Sequence, residues 1–152
     1  MSNRNRSTAT PKRATFTTSK LRGEWVELRF MTRAAELGIV VSKPWGDSAP
    51  YDFVLGHQIN ACQTEARNGH FLRVQVKSTA HQRGRSFKCH ISANHGPYLP
   101  GQLDFIAAYI IPADTWYILP AHVATGQIHV MLSPHLENSK YSSYREAWHL
   151  LL

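Results

Sequence analysis

The sequence predicts a single α/β (α+β) domain in which a central mixed β-sheet is flanked by helices. Three observations support this fold class: an amphipathic helical pattern near the N-terminus, a series of short apolar segments separated by turn residues, and an apolar segment at the C-terminus. The chain has 152 residues, of which 43% are hydrophobic, and this is enough for one domain with its own core.

Two segments are predicted to be helical. Residues 23–38 place apolar side chains three and four positions apart, which is the spacing of one buried helix face. These side chains are Val26, Phe30, Ala34 and Leu37. Gly38 is a typical C-terminal stop for such a helix. Residues 144–152 predict a second helix that closes the domain.

The strands are predicted from short apolar and β-branched segments bounded by Gly, Pro, Asn, Asp or Ser. In chain order they are residues 39–41, 51–55, 71–79, 87–93, 105–111 and 116–119. The Asn68-Gly69 pair is a strong turn signal, so the strands at 51–55 and 71–79 are expected to pair antiparallel. The last two strands are expected to form a hairpin.

The charge distribution predicts a polyanionic partner. The formal net charge is +7. Residues 1–20 contain five basic side chains and no acidic one, and they are poor in large apolar residues. We therefore expect residues 1–20 to form a disordered basic arm that precedes a domain at 21–152. Two interpretations of the arm remain open, a solvated leader and a phosphate-binding segment.

A second basic segment lies inside the predicted domain. Six basic residues follow one another there without an intervening acid, which is the pattern expected of a phosphate contact. They are Arg67, Arg73, Lys77, Arg83, Arg85 and Lys88. A solvated surface would more often mix the two signs of charge.

The sequence predicts an intracellular, cytoplasmic protein without a membrane partner. The longest apolar run, at 105–111, is far too short to span a bilayer. Cys62 and Cys89 are the two cysteines and do not form a CxxC motif, so a disulfide framework is not expected. The nine histidines do not follow a zinc-finger or HExxH spacing.

The strand at 71–79 alternates polar and apolar side chains. Because alternate residues of a strand point to opposite faces, Arg73, Gln75 and Lys77 share one face. Burial of three such side chains without partners is costly, so this face is expected to be hydrated or bound to a ligand. On the alternation alone, an edge strand with one solvated face is the favoured explanation.

Asp52 is an acidic residue within an otherwise apolar strand, and it suits a metal site. A hard cation such as Mg²⁺ binds one or two carboxylates together with waters and phosphate oxygens. Glu27 is the next candidate ligand, and Glu24 lies on nearly the same side of the predicted helix. Either glutamate is also explained as an acid favoured near a helix N-terminus.

Several short motifs together resemble the PD-(D/E)xK nuclease superfamily. They are Gly23-Glu24-x-x-Glu27, Gly38, Lys43-Pro44-x-Gly46-Asp47, Tyr51-Asp52, Val74-Gln75-Val76-Lys77-Ser78-Thr79, and the segments at 114–120 and 144–148. Within the superfamily the chain is most similar to the small endonucleases associated with group I introns, and more distantly to archaeal Holliday-junction resolvases. Each motif is short, but their order and spacing are specific.

The resemblance implies a restriction-endonuclease-like core and assigns roles to five residues. Asp52 would be the central metal ligand, Lys77 the catalytic lysine, and Glu27 a direct or water-mediated support for the metal. The backbone carbonyl of Val76 would be a further ligand. Gln75 stands where the superfamily has Asp or Glu; its amide oxygen can bind Mg²⁺ but brings no charge. The implied cofactor is Mg²⁺, with Mn²⁺ as a substitute.

The implied activity is hydrolysis of double-stranded DNA by a homing-type endonuclease. One site of this size cuts one strand, so a homodimer or homotetramer is expected. The residues expected to bind DNA are Arg73, Ser78, Arg83, Arg85, Lys88 and the loop aromatics Trp45 and Tyr98. Three alternatives remain: a catalytically silent DNA-binding module in which Gln75 marks decay, a junction-resolving or repair nuclease, and a basic RNA-binding protein.

Overall fold

The computed structural model describes residues 16–57 and 71–152. The Asn68-Gly69 turn, Arg67, Cys62 and most of the predicted arm lie outside these ranges. Within these two ranges the α-helices are α1 (Ser19–Glu36) and α2 (Ala121–Ala124). The strands are β1 (Ile39–Ser42), β2 (Phe53–His57), β3 (Leu72–Thr79), β4 (Gln82–Arg83), β5 (Ser86–His90), β6 (Phe105–Ile110), β7 (Thr115–Pro120) and β8 (His129–Leu132). Short 3₁₀ helices cover Ile111–Ala113, Ser142–Tyr144 and Trp148–Leu151.

The central sheet is mixed, as predicted. Its strand order is β1-β2-β3-β6-β7, in which β3 and β6 are parallel and the other neighbours are antiparallel. The predicted antiparallel pairing of β2 with β3 and the predicted β6–β7 hairpin are both confirmed. The predicted α+β fold class is therefore confirmed.

Helix α1 covers one face of this sheet. It begins at Ser19, earlier than predicted, because the Thr18 side chain accepts a hydrogen bond from the Leu21 N–H and caps the helix. Val26, Phe30 and Ala34 are buried in the core, as their spacing predicts. None of the helices in the described part of the chain is long and apolar enough to cross a membrane.

The opposite face of the central sheet is covered largely by a second sheet rather than by a helix. This three-stranded sheet has the order β4-β5-β8. Phe87, Cys89, Val130 and Leu132 of the second sheet are buried in one cluster with Ile106 and other side chains of β6 and β7. Strand β8 was not predicted, because its four residues, with exposed His129 and Met131, give too short an apolar pattern.

The predicted closing helix at 144–152 is wrong. Glu146 has a positive φ of 51°, and a left-handed residue interrupts a right-handed helix. Its carboxylate accepts hydrogen bonds from the Trp116 N–H at 2.6 Å and from the Trp148 indole N–H at 2.9 Å. The C-terminal segment is thus hydrogen-bonded to the start of β7. Two short 3₁₀ helices replace the predicted helix.

Candidate functional site

The register of β2 against β3 brings Asp52 beside Gln75. Phe53 pairs with Val74, and the Asp52 N–H donates to the Val74 carbonyl at 2.9 Å, which extends the pairing by one residue. Asp52 Oδ2 accepts hydrogen bonds from Gln75 Nε2 and from the Val76 N–H, both at 2.7 Å. Two positions that are far apart in sequence are therefore joined directly by hydrogen bonds.

A cavity of about 190 Å³ lies at this point, between the strands and the first turns of α1. Its lining residues are Gly23, Val26, Glu27, Asp52, Gln75, Val76, Lys77 and Ser78. All the candidate metal ligands and the candidate catalytic lysine are in this set. Of the two glutamates that the sequence left open, Glu27 lines the cavity and Glu24 is exposed.

Lys43 is a site residue that the sequence analysis did not assign. Its Nζ lies 2.7 Å from Glu27 Oε2, and this hydrogen-bonded ion pair raises the pKa of Lys43. Lys43 follows β1 in a loop, so neither periodicity nor strand alternation pointed to the cavity. Its place in the Lys43-Pro44-x-Gly46-Asp47 motif was the one available signal.

Asp52 is held in an environment that favours a bound cation. Burial raises the pKa of Asp52, and the nearby Glu27 carboxylate raises it further. The Val76 N–H, the Lys77 ammonium and the Gln75 amide act in the opposite direction. A buried carboxylate with a second acid beside it gains more from a positive charge than an exposed one does.

Lys77 is half-buried at the edge of the same cavity. Burial lowers the pKa of Lys77, and the neighbouring Asp52 partly offsets this effect. Its Nζ lies 5.8 Å from the centre of the Tyr98 ring. Tyr98 is only 7% exposed, and burial raises its pKa to about 12. Tyr98 therefore packs beside Lys77 and has little surface for a base, although its DNA contact remains a prediction.

The donor atoms of the cavity fit a hard divalent cation. Within residues 16–57 and 71–152, no three His, Cys, Asp or Glu side chains form a metal-binding cluster. The cavity is lined by Asp52, Glu27, Gln75 and Val76, residues whose carboxylate, amide and carbonyl oxygens are hard ligands. Mg²⁺ prefers oxygen ligands and often uses one or two carboxylates with waters.

Arg73 lies in the expected strand but is engaged by protein. Its backbone N–H and its Nε both donate to Asp104 Oδ2, at 2.7 and 3.1 Å, and its Nη2 donates to Asp104 Oδ1 at 3.0 Å. Its Nη1 donates to the Gly101 carbonyl. The hydrogen bonds from the Arg73 side chain and backbone N–H to Asp104 lower the pKa of the Asp104 carboxyl. The guanidinium fixes β3 to the segment before β6, and it does not line the cavity.

Of the other residues predicted to contact DNA, three are exposed and two are half-buried. Ser78 lines the cavity directly, and Trp45 is fully exposed in the loop after Lys43. Arg83 and Arg85 are exposed at the β4–β5 turn, and Lys88 lies half-buried on β5. Their contacts with DNA are predictions.

Comparisons with known proteins show which family the chain belongs to. No curated protein sequence matches the chain significantly. The solved structure of a bacterial homing endonuclease, I-Ssp6803I, matches with a TM-score of 0.70 and 26% identity, over 90% of this chain and 93% of that chain. The family model for PD-(D/E)XK endonucleases matches residues 17–151. Because this match covers most of the chain, the chain belongs to the PD-(D/E)XK endonuclease family.

Proposed function

We propose that this protein is a Mg²⁺-dependent endonuclease that hydrolyses phosphodiester bonds of double-stranded DNA at a specific site. The observation that carries the proposal is the convergence of Asp52, Glu27 and Lys77 in one cavity with Gln75 and the Val76 carbonyl. The match to a bacterial homing endonuclease supports a homing-type role. Because each chain has one such cavity among its described residues, cutting both strands calls for a homodimer or homotetramer.

A bound Mg²⁺ would polarise the scissile phosphate and lower the pKa of the attacking water. Asp52 and Glu27 would hold the cation through their carboxylates. Lys77 would place its ammonium beside the scissile phosphate and stabilise the charge that develops there. Lys43 forms an ion pair with Glu27, so a second ammonium lies beside a carboxylate that would hold the cation.

Gln75 makes cation binding depend on DNA. Its Nε2 points to Asp52 in this structure, so its Oε1 can ligate a cation after a half-turn of the amide. A neutral ligand leaves the site with fewer negative charges than a carboxylate would. The phosphate of bound DNA would supply the missing charge, and binding of Mg²⁺ without DNA should be weak.

We expect Gln75→Glu to tighten Mg²⁺ and Mn²⁺ binding about tenfold or more in the absence of DNA. The added carboxylate would face Asp52 without the present amide hydrogen bond, so the cation-free variant should also melt at a lower temperature than wild type. Isothermal titration calorimetry and thermal melting with and without the cation measure both effects. Equal cation affinity in the two proteins, or wild-type affinity that does not change with DNA, would contradict this role of Gln75.

Cleavage of a pool of randomised duplexes, a supercoiled plasmid and a branched junction tests the proposed function. With Mg²⁺ or Mn²⁺ we expect cutting that EDTA abolishes and that Asp52→Asn lowers by at least about 10²-fold, because the buried carboxylate is the central ligand. Glu137→Gln removes an exposed acid and is the matched control. Linear plasmid without accumulated nicked circle would indicate paired sites.

Two outcomes would change the assignment. Salt-sensitive DNA binding without metal-dependent cutting of any of these substrates would favour a catalytically silent module. Selective cutting of the branched junction would favour a junction-resolving nuclease over a homing endonuclease.

A further inference from the structure

A second cavity, of about 550 Å³, adjoins the candidate metal site through Ser78, which lines both. We call it the basic groove. Its lining residues are Arg22, Ser78, Thr79, Ala80, His81, Lys88 and His90. Four of these side chains are basic and none is acidic. Arg22 comes from α1, so the groove runs between the start of this helix and the second sheet.

The sheet wall of the groove continues into a larger basic surface. On β5, Phe87 and Cys89 face the core, so Ser86, Lys88 and His90 point outward. The register places Arg83 opposite Ser86 and His129 opposite His90. Since paired residues share a face, the outer face of the second sheet presents Arg, Lys and His side chains beside the candidate site.

The groove is held in shape by a buried threonine. Thr79 is 6% exposed, and its hydroxyl donates to the Lys88 carbonyl at 2.7 Å and accepts from the His81 N–H at 3.0 Å. The Lys88 N–H donates to the His81 carbonyl at 2.9 Å. Hydrogen bonds therefore join the end of β3, which carries Lys77, to His81 and Lys88 of the groove. They fix the position of Lys88 relative to the candidate metal site.

The basic side chains of the groove differ from those of a third cavity, which lies between α1 and the β7 edge of the central sheet and which we call the outer cavity. There, Arg29 pairs with Asp114 and Arg33 pairs with Glu36. By contrast, no ion pair within residues 16–57 and 71–152 uses Arg22 or Lys88. The positive charge of the groove is therefore available to an external anion, whereas that of the outer cavity is neutralised.

We propose that the basic groove binds the sugar-phosphate backbone of the DNA strand next to the scissile phosphate, without reading its sequence. This inference rests on the proposed nuclease function. Thr79 follows Lys77 by two residues of a strand, or about 7 Å. The groove thus begins directly beside the position of the scissile phosphate.

The salt dependence of DNA binding tests the groove separately from catalysis. Binding of a fluorescent duplex of arbitrary sequence is measured in EDTA between 50 and 200 mM KCl, conditions that need no metal and no cleavage. The slope of log K against log salt is negative, and each lost phosphate contact reduces its magnitude by about 0.9. We expect this decrease for Arg22→Ala and for Lys88→Ala, and about twice this decrease for the double variant.

Arg33→Ala is the matched control, because it removes one positive charge from the outer cavity, where Arg33 is paired with Glu36. The slope of this control should equal that of wild type. If all the variants had the wild-type slope, the groove would not be the DNA-binding surface, even if the protein cuts DNA. If the groove variants had shallower slopes but the protein never cut DNA, the groove would bind DNA and the nuclease function would be rejected.

Thr79 acts as a positioning residue in this proposal. Thr79→Val keeps the shape of the side chain but removes the hydroxyl, so it should lower the salt slope, and Thr79→Ser should restore it. A general loss of stability would lower the melting temperature without changing the slope of the folded protein. A wild-type slope in Thr79→Val would show that the hydroxyl does not position the groove.

Discussion

Lys77→Met is expected to lower the single-turnover rate of DNA cleavage about 10²- to 10³-fold, which is the usual loss when one preorganised charge-stabilising group is removed. Lys77 lines the cavity with Asp52 and Gln75, and its ammonium is positioned by the Tyr98 ring. Methionine keeps an unbranched side chain of similar length but has no charge. Quench-flow or gel assays at saturating enzyme measure the rate without a contribution from DNA affinity.

The melting temperature separates this loss from unfolding. Because burial lowers the pKa of Lys77, the folded protein holds the lysine proton less tightly than the unfolded chain does. The charged lysine therefore destabilises the fold at neutral pH, and Lys77→Met should melt at the same temperature or higher. Lys140→Ala, which removes an exposed lysine, is the control. Cleavage within tenfold of wild type, in a variant that folds, would exclude Lys77 from the chemistry.

Phe30→Ala is expected to reduce the free energy of unfolding by about 3–5 kcal/mol, which is the usual cost of truncating a buried phenylalanine. Phe30 is fully buried, and its ring centre lies 5.5 Å from Phe53, 5.8 Å from Trp116 and 5.6 Å from Trp148. These three contacts join α1 to β2, β7 and the C-terminal segment. Chemical denaturation measures the change, and the melting temperature should fall by about 10 °C.

Leu28→Ala is the control for the same helix, because Leu28 is 58% exposed. Its effect should remain within about 0.5 kcal/mol, as for most surface substitutions. A loss below about 1 kcal/mol for Phe30→Ala would mean that α1 is not held on the sheet by this aromatic cluster. The position of Glu27 in the cavity, one turn earlier in the helix, would then need another explanation.

The strands and the central part of the site could be predicted from local sequence. Apolar segments with turn residues between them identified β2 and β3, and their antiparallel pairing placed the start of one beside the polar positions of the other. The observed register, with Phe53 opposite Val74, agrees with this expectation. Strand alternation also separated the side of Gln75 and Lys77 from the buried side of Val74 and Val76.

Other features depended on contacts between distant segments and had no local signal. The helix predicted at 144–152 failed because the Glu146 carboxylate binds the Trp116 and Trp148 N–H groups and holds a left-handed backbone. Arg73 has the strand position of a site residue, yet Asp104, from the segment before β6, engages its guanidinium. Glu146 is 30 residues from Trp116 and Arg73 is 31 residues from Asp104.

By itself, the sequence determined the α+β class, the strand that carries Gln75 and Lys77, and the acid at Asp52, because periodicity and turn chemistry act over a few residues. The tertiary structure alone decided that Glu27 rather than Glu24 faces the cavity, that Lys43 pairs with it, and that a second sheet extends a basic surface from the site. These features arise where chain segments that are distant in sequence meet in the folded protein. The spacing of residues in the sequence does not show how far apart such segments lie in space.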